Sequence, residues 1–257
     1  MSKVTFSVEG SLGIITLNDP ALNLLSPELV DDLRAVVEGL PEKNLRGLIL
    51  KSNGNFSAGA NMSLFTGKDS QGGREVLDTF LVGIVRKIEA LPYPTLAVVR
   101  GLCLGGGFEL ALACDLIWSA NEAKFGAVEA TIGTVPLGAG SRMIAARAGM
   151  ARAKEMVYDA KIYNAEQLEK WNIVNKVMPD GEINEQAAKY MERLAQGPTL
   201  AYAVTKRLHS EYYSKGLNCS DDLLLEIVPP LFETKDFVNG VKSLIENGPG
   251  KAKFDAQ

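Results

Sequence analysis

The sequence predicts an α/β fold: a parallel sheet built from alternating strands and helices, followed by a largely helical C-terminal part. Three observations lead there. Short aliphatic or β-branched runs at 47–51, 95–100 and 116–119 alternate with helix-period segments, and such alternation argues for parallel pairing. From residue 141 onward the apolar pattern is almost entirely helical. The 257 residues are 46 % hydrophobic, which suffices for one large core without disulfide staples. The expected layout is a core of residues 1–195 and a helical region of residues 196–257, working as a single functional unit.

The elements follow in order. Residues 3–9 alternate, with Val4, Phe6 and Val8 on one face, and 14–17 follow after a turn at 10–13. That is a hairpin pattern. Ser26 then reads as an N-cap with Pro27 at the first helical position. Leu29, Leu33, Val36, Val37 and Leu40 give this helix one apolar stripe. A strand at 47–51 leads into a small-residue loop. Residues 66–74, with three glycines, are expected to form a mobile flap. A helix of about 16 residues, judged by its apolar period, ends before Pro92. A buried strand at 95–100 follows, then a turn and helix over 101–114, then a strand at 116–119. Helices are expected at 182–196 and 198–215, and a last one from Pro229-Pro230 to Asn247.

Composition excludes several classes of function. The net charge is −4 with no basic surplus, so nucleic acid is not an expected partner. The one histidine, His209, excludes multi-His metal sites and leaves any Ser-His or Cys-His nucleophile only that residue. Cys103, Cys114 and Cys219 form no CxxC pair, and their odd number suits a reducing compartment. No apolar run is long enough to span a membrane, and the first residues show no leader pattern. The expectation is a soluble cytoplasmic protein with no metal site and no membrane partner.

Three segments hold the candidate chemistry. In GLCLGGGFELALACD, residues 101–115, three consecutive glycines begin a helix, where glycine is otherwise costly. A helix start has N–H groups without intrahelical partners at its positive end, a place for an oxyanion. Glu109, three residues beyond Gly106, is the one charge in the run 104–114. It serves either the first helical turn or a reaction. The second segment, NFSAGANM at 55–62, is a loop that can also present backbone N–H groups. The third places Glu129 among small and apolar residues, on an exposed turn or in a cleft, ahead of PLGAG at 136–140. Two isolated carboxylates with two N–H-presenting loops suit proton transfer next to a carbonyl.

Together and in this order, the segments resemble the enoyl-CoA hydratase/isomerase (crotonase) superfamily. The likeness runs from the hairpin and Ala21-Leu22-Asn23 to the C-terminal helices, and includes the 20-residue spacing of Glu109 and Glu129. The resemblance implies a crotonase-like spiral of ββα units in two nearly perpendicular sheets, with a C-terminal helical trimerisation region. It implies a homotrimer or homohexamer acting on an acyl-CoA thioester. The thioester oxygen would be held by the backbone N–H groups of Ala60 and Gly106. The adenosine end would rest near Ala21, Leu22, Asn23 and Ala58, with Asn61, Met62 and Gly105 also in the substrate-binding set. Coenzyme A arrives as part of the substrate, so no cofactor is implied.

With both Glu positions filled, the implied reaction is syn addition of water to a 2-trans-enoyl-CoA. Glu109 would act as base toward the water, and Glu129 would supply the proton to the α-carbon. The alternatives are a double-bond isomerase, which needs one carboxylate, and a non-catalytic or RNA-binding relative. Four departures stand out: Asn61 in place of Asp, Val128 in place of Pro, Met143 in place of Arg, and a GKAKF tail at 250–254.

Overall fold

The computed structural model describes residues 2–256, so residue 1 of the first expected span and residue 257 of the second lie outside it. Strands β1 (Val4–Glu9) and β2 (Leu12–Leu17) pair antiparallel across a two-residue turn in which Gly10 takes a φ of 61°. Helix α1 (Pro27–Gly39) starts as its sequence indicates: the Ser26 hydroxyl accepts from the Leu29 N–H, and Pro27 needs no partner at the first position. Its buried residues are Leu29, Val30, Leu33 and Val37.

Strands β3 (Gly47–Ser52), β4 (Thr95–Val99), β5 (Leu102–Leu104), β6 (Leu116–Ala120), β7 (Lys124–Gly126), β8 (Tyr163–Asn164) and β9 (Lys176–Met178) complete two sheets. The larger has the order β1-β2-β3-β4-β6-β9, parallel from β2 onward. The smaller is β5-β7-β8, and a parallel bridge from Ser57 to Cys103 extends it by one more crossing of the chain.

Each circuit lays a strand in the larger sheet, a strand in the smaller one, then a helix. One circuit is β4, β5 and α4 (Gly106–Ala113). The next is β6, β7, a 3₁₀ turn at Glu129–Ile132 and α5 (Gly140–Ala148). This is a spiral of ββα units.

The larger sheet is covered on both faces, so its strands bury both sets of alternating side chains. Leu48, Leu50, Ala97 and Val99 enter the main core with α1 and α4. Ile49, Leu96, Val98 and Trp118 point the other way, against Ile183, Ala187 and Met191 of α8 (Asp180–Ala195).

Several expectations are corrected. The helix before Pro92 is one continuous run: α2 (Ser70–Leu77), a π-helical stretch Asp78–Val85, and α3 (Arg86–Glu89). It begins inside the expected flap, with Gly72 and Gly73 in its first turn and Asp69 capping the Gly72 N–H. The segment 101–114 inserts β5 before its helix, because Leu102–Leu104 finds a partner in β7. Strands β8 and β9 interrupt the region expected to be helical. Helices α6 (Met150–Asp159) and α7 (Ala165–Lys170) lie among them. Pro229-Pro230 opens a 3₁₀ turn, and the last helix starts only after the Thr234 cap.

The C-terminal part comprises α9 (Thr199–Lys215), α10 (Leu217–Ile227) and α11 (Lys235–Asn247). One guanidinium pins both ends of it: Arg46 donates to the carbonyls of Gly197 and Phe254, each at 2.8 Å. No helix among the described residues is long and apolar enough to cross a membrane.

Candidate active site

After β3 the chain turns back through a loop anchored by Asn55. Its amide donates to the Ala21 carbonyl at 2.7 Å and accepts from the Leu102 N–H at 2.8 Å. Ser57 then bridges to β5, and Ala60 bridges to Leu25. In that second bridge Leu25 donates to Gly59 and Asn61 donates to Leu25. The Ala60 N–H is left with no acceptor among the described residues.

Helix α4 supplies the second such group. Gly105 sits at φ 49°, ψ −127°, a conformation that a side chain resists, and donates to the Gly126 carbonyl. Gly106 follows as the first helical residue, and its N–H also has no acceptor among the described residues. The third glycine answers to packing: a Cβ on Gly107 would lie 2.5 Å from the Ser57 Cβ and 2.8 Å from the Ser57 carbonyl oxygen. The loop carrying Ala60 thus rests directly on the helix start carrying Gly106.

Glu109, on the first turn of α4, is buried, with 3 % of its surface exposed. Its Oε1 accepts from the Gly140 N–H at 2.7 Å, at the start of α5. Gly138 and Gly140 both lie against the carboxylate, where a Cβ would approach within 3.2 Å of Glu109 atoms. The glycines of PLGAG are therefore the cradle of Glu109. Burial pushes this carboxyl up to about 8. The Gly138 amide opposes, the nearby Glu129 carboxylate adds to the rise, and the Gly140 and Leu137 amides oppose.

Glu129 begins the 3₁₀ turn after β7. Both of its carboxylate oxygens are buried and have no hydrogen-bond partner among the described residues. Oε1 lies 3.3 Å from the position a Cβ on Gly105 would take. Burial raises this carboxyl too, against the pull of its own backbone N–H.

Both carboxylates, Ala60 and Gly106 line one cavity of about 400 Å³. Its walls are mostly apolar, with Leu25, Val30 of α1, Phe65, Phe80, Ile132 and Leu137, and Asp31, Lys68 and Glu75 also line it. Phe80 comes from the π-helical stretch, a departure from α geometry that recurs at functional sites. Its ring packs against Gly106 and Gly138. Phe80 and the two cradle glycines escaped the sequence reading. Only the glycine-rich PLGAG offered a signal, and nothing in it named Glu109.

The other expected residues divide. Ala58, Met62 and Gly105 line the cavity, whereas Ala21, Leu22 and Asn61 do not. The Asn61 side chain caps the turn Met62–Leu64 by accepting from the Ser63 N–H at 2.9 Å. Ala21 and Leu22 form an exposed turn, tied to the loop by the Ala58 N–H donating to the Leu22 carbonyl. Val128 lines the cavity beside Glu129, and Met143 is buried in α5. His209 lies on α9, outside the cavity. Among the described residues no group of His, Cys, Asp or Glu side chains could hold a metal ion.

Known proteins share this arrangement of the chain. Residues 7–256 match the family model for enoyl-CoA hydratase/isomerase. A probable enoyl-CoA hydratase of Rhizobium meliloti is 31 % identical over 261 residues, covering 99 % of each chain. The short-chain-enoyl-CoA hydratase of Clostridium acetobutylicum is 27 % identical over 256 residues, covering 96 % of this chain and 95 % of its own. The crystal structure of an enoyl-CoA hydratase from Bacillus anthracis has a TM-score of 0.91 at 25 % identity, covering 99 % of this chain and 100 % of that one.

Proposed function

The chain belongs to the enoyl-CoA hydratase/isomerase family, and from that premise we propose that it adds water across the 2,3-double bond of a 2-trans-enoyl-CoA thioester. The observation that supports this best is the convergence of four groups on one cavity: two backbone N–H groups without acceptors, at Ala60 and Gly106, and two buried carboxyls, Glu109 and Glu129.

Each group has a step to perform. The thioester oxygen sits between the two N–H groups, which stabilise the enolate as its charge develops. The positive end of α4 adds to this. The water lies between the carboxyls. In the productive form the pair keeps one proton. Burial raises both carboxyls, and of the one-proton forms the reactive one has Glu109 ionised, with the Gly140 N–H donating to it, and the proton on Glu129, whose oxygens meet no donor among the described residues. Glu109 takes a proton from the water as its oxygen bonds to C3. Glu129 gives its proton to C2 on the same face, which makes the addition syn. No metal or redox cofactor enters this scheme, and coenzyme A arrives with the substrate.

We place the adenosine end at the turn of Ala21, Leu22 and Asn23. Ala58, which lines the cavity and bonds to that turn, connects the two. Asn61, Met62 and Gly105 flank the path of the thioester.

The test is the absorbance of the conjugated thioester with crotonyl-CoA and, in parallel, 3-hexenoyl-CoA. Loss of conjugation from crotonyl-CoA is expected. A gain of conjugation from 3-hexenoyl-CoA with crotonyl-CoA untouched would replace the hydratase by an isomerase, and silence on both would defeat the reading.

We also propose that the C-terminal region of residues 196–257 joins cores of residues 1–195 into a trimer or hexamer. Leu224, Leu225, Phe232, Val238, Leu244 and Ile245 are all exposed on α10, α11 and the turn between them. Apolar surface gathered in this way marks an interface. Sedimentation should give three or six times the chain mass, and a monomer at micromolar concentration would rule this out.

A further inference from the structure

We propose that Arg147 is a positioning residue: it fixes the far end of α4, the helix whose first turn carries the Gly106 N–H and Glu109. The inference rests on the hydratase reading above. Helix α4 has eight residues; at its end Ala111 accepts from the Cys114 N–H, while the carbonyls of Leu112 and of the capping residue Cys114 find no donor on the helix. Arg147, in the last turn of α5, satisfies them. Nη1 donates to the Leu112 carbonyl at 2.9 Å, and Nη2 donates to the Cys114 carbonyl at 2.6 Å. The guanidinium also meets the negative end of the helix dipole.

The same helix α5 holds the other end of α4, where its Gly140 N–H donates to Glu109 at 2.7 Å. Between these two contacts Met143 and Ile144 are buried in the core. So α5 grips α4 at both ends, by a backbone amide on the carboxylate and by a forked side chain on the terminal carbonyls. In so short a helix, a shift at the far end moves the first turn with it. Residue 143, where the family resemblance leads to an expectation of arginine, is one helical turn before Arg147 on the same face.

The chain beyond α4 has its own anchor. Asp115 accepts from the N–H and hydroxyl of Thr95 and from the Lys206 ammonium. Arg147 adds only a long contact to the Asp115 carbonyl, at 3.4 Å, so these bonds hold the path into β6 when it is removed. Removing the guanidinium should therefore loosen α4 while the fold is kept.

The experiment uses the full chain with Arg147→Met and Arg147→Lys. Three quantities are read: kcat and KM for hydration of crotonyl-CoA, the red shift of bound 2,4-hexadienoyl-CoA, and the thermal midpoint. The red shift reports polarisation of the thioester carbonyl by the two N–H groups, and a purely structural role for Arg147 would leave it unmoved. Arg147→Met should lower kcat by about 10², the size expected for a displacement of about 1 Å at the reacting groups, with KM within about twofold. The red shift should shrink, and Arg147→Lys, which keeps the charge but not the fork, should recover part of both.

An unchanged kcat and red shift in folded Arg147→Met would overturn the proposal. Should that variant fail to fold, an unchanged Arg147→Lys would overturn it equally. A wild type that neither hydrates crotonyl-CoA nor shifts the probe would remove the hydratase reading first, and this inference with it.

Discussion

Glu129→Gln should lower kcat for hydration of crotonyl-CoA by about 10²–10⁴, the range a general acid contributes, with KM close to that of the wild type. The substitution is nearly isosteric. Neither carboxylate oxygen of Glu129 has a hydrogen-bond partner among the described residues, so no internal bond is lost. What disappears is the proton that reaches C2. Gly105 leaves just enough room for the side chain, since Oε1 already lies 3.3 Å from where a Cβ would stand. The thermal midpoint should not fall, because burial raises this carboxyl too and Gln has no charge to bury. A variant that hydrates crotonyl-CoA at the wild-type rate would exclude Glu129 as the acid and leave Glu109 to do both proton transfers.

Glu109→Gln should reduce kcat by a similar factor and at the same time stabilise the protein in mild alkali. The sign follows from where the carboxyl titrates. In the unfolded chain it ionises near 4.5, and in the fold burial pushes it up to about 8. Below 4.5 the group is neutral in both states and costs nothing. Between 4.5 and 8 the unfolded state sheds its proton more readily, and folding stability falls as pH rises. Above about 8 the full penalty is in place, with a ceiling of about 4–5 kcal/mol at about 1.4 kcal/mol per pKa unit.

Gln carries no such penalty, and its Oε1 can still accept from the Gly140 N–H. Urea unfolding at pH 5 and pH 8.5 should show the variant gaining on the wild type at the higher pH. Parallel stability curves for the two proteins would mean that Glu109 titrates as an ordinary surface carboxyl, and its place as the buried base would be lost. The same titration gives the wild-type rate a pH profile with two limbs. With two protons on the pair there is no base, and with none there is no acid.

The parts of the fold legible in the sequence are those governed by local rules. Ser26-Pro27 announces a helix start, because a hydroxyl acceptor and a residue lacking an N–H suit those two positions wherever the helix packs. The unbroken apolar run Leu48, Ile49 and Leu50 fits a strand of a parallel sheet, buried on both sides. The illegible parts depend on partners distant in the chain. Leu102–Leu104 is three residues long and becomes a strand only because Lys124–Gly126 lies beside it. The π-helical stretch leaves no mark in its composition, yet it brings Phe80 to Gly106.

The site divides along the same line. Glu109 and Glu129 stand out as charges in apolar runs, and GGG stands out as glycine where a helix begins. The identity of the group that holds Glu109 is a tertiary fact. The Gly140 N–H is 31 residues away, and no spacing rule reaches it. Asn61 shows the reverse case. Its side chain accepts from the Ser63 N–H only two residues away, a local bond of the kind a loop asparagine makes by itself.

The Arg46 clamp sets an order of events during synthesis. Its two acceptors, Gly197 and Phe254, enclose the C-terminal helices, and Phe254 lies 208 residues beyond Arg46. At about 5–20 residues per second, the ribosome delivers the second acceptor about 10–40 s after the arginine has been made. Until then the C-terminal helices are held at their near end, by the Gly197 carbonyl and by α9, whose Lys206 donates to Asp115 and whose Tyr213 donates to the Ala146 carbonyl. Helices α10 and α11 are themselves made only in the last part of that interval, so their apolar faces precede the second anchor by a small share of it. Completion of the clamp is thus the last step that fixes both ends of the C-terminal region to the core.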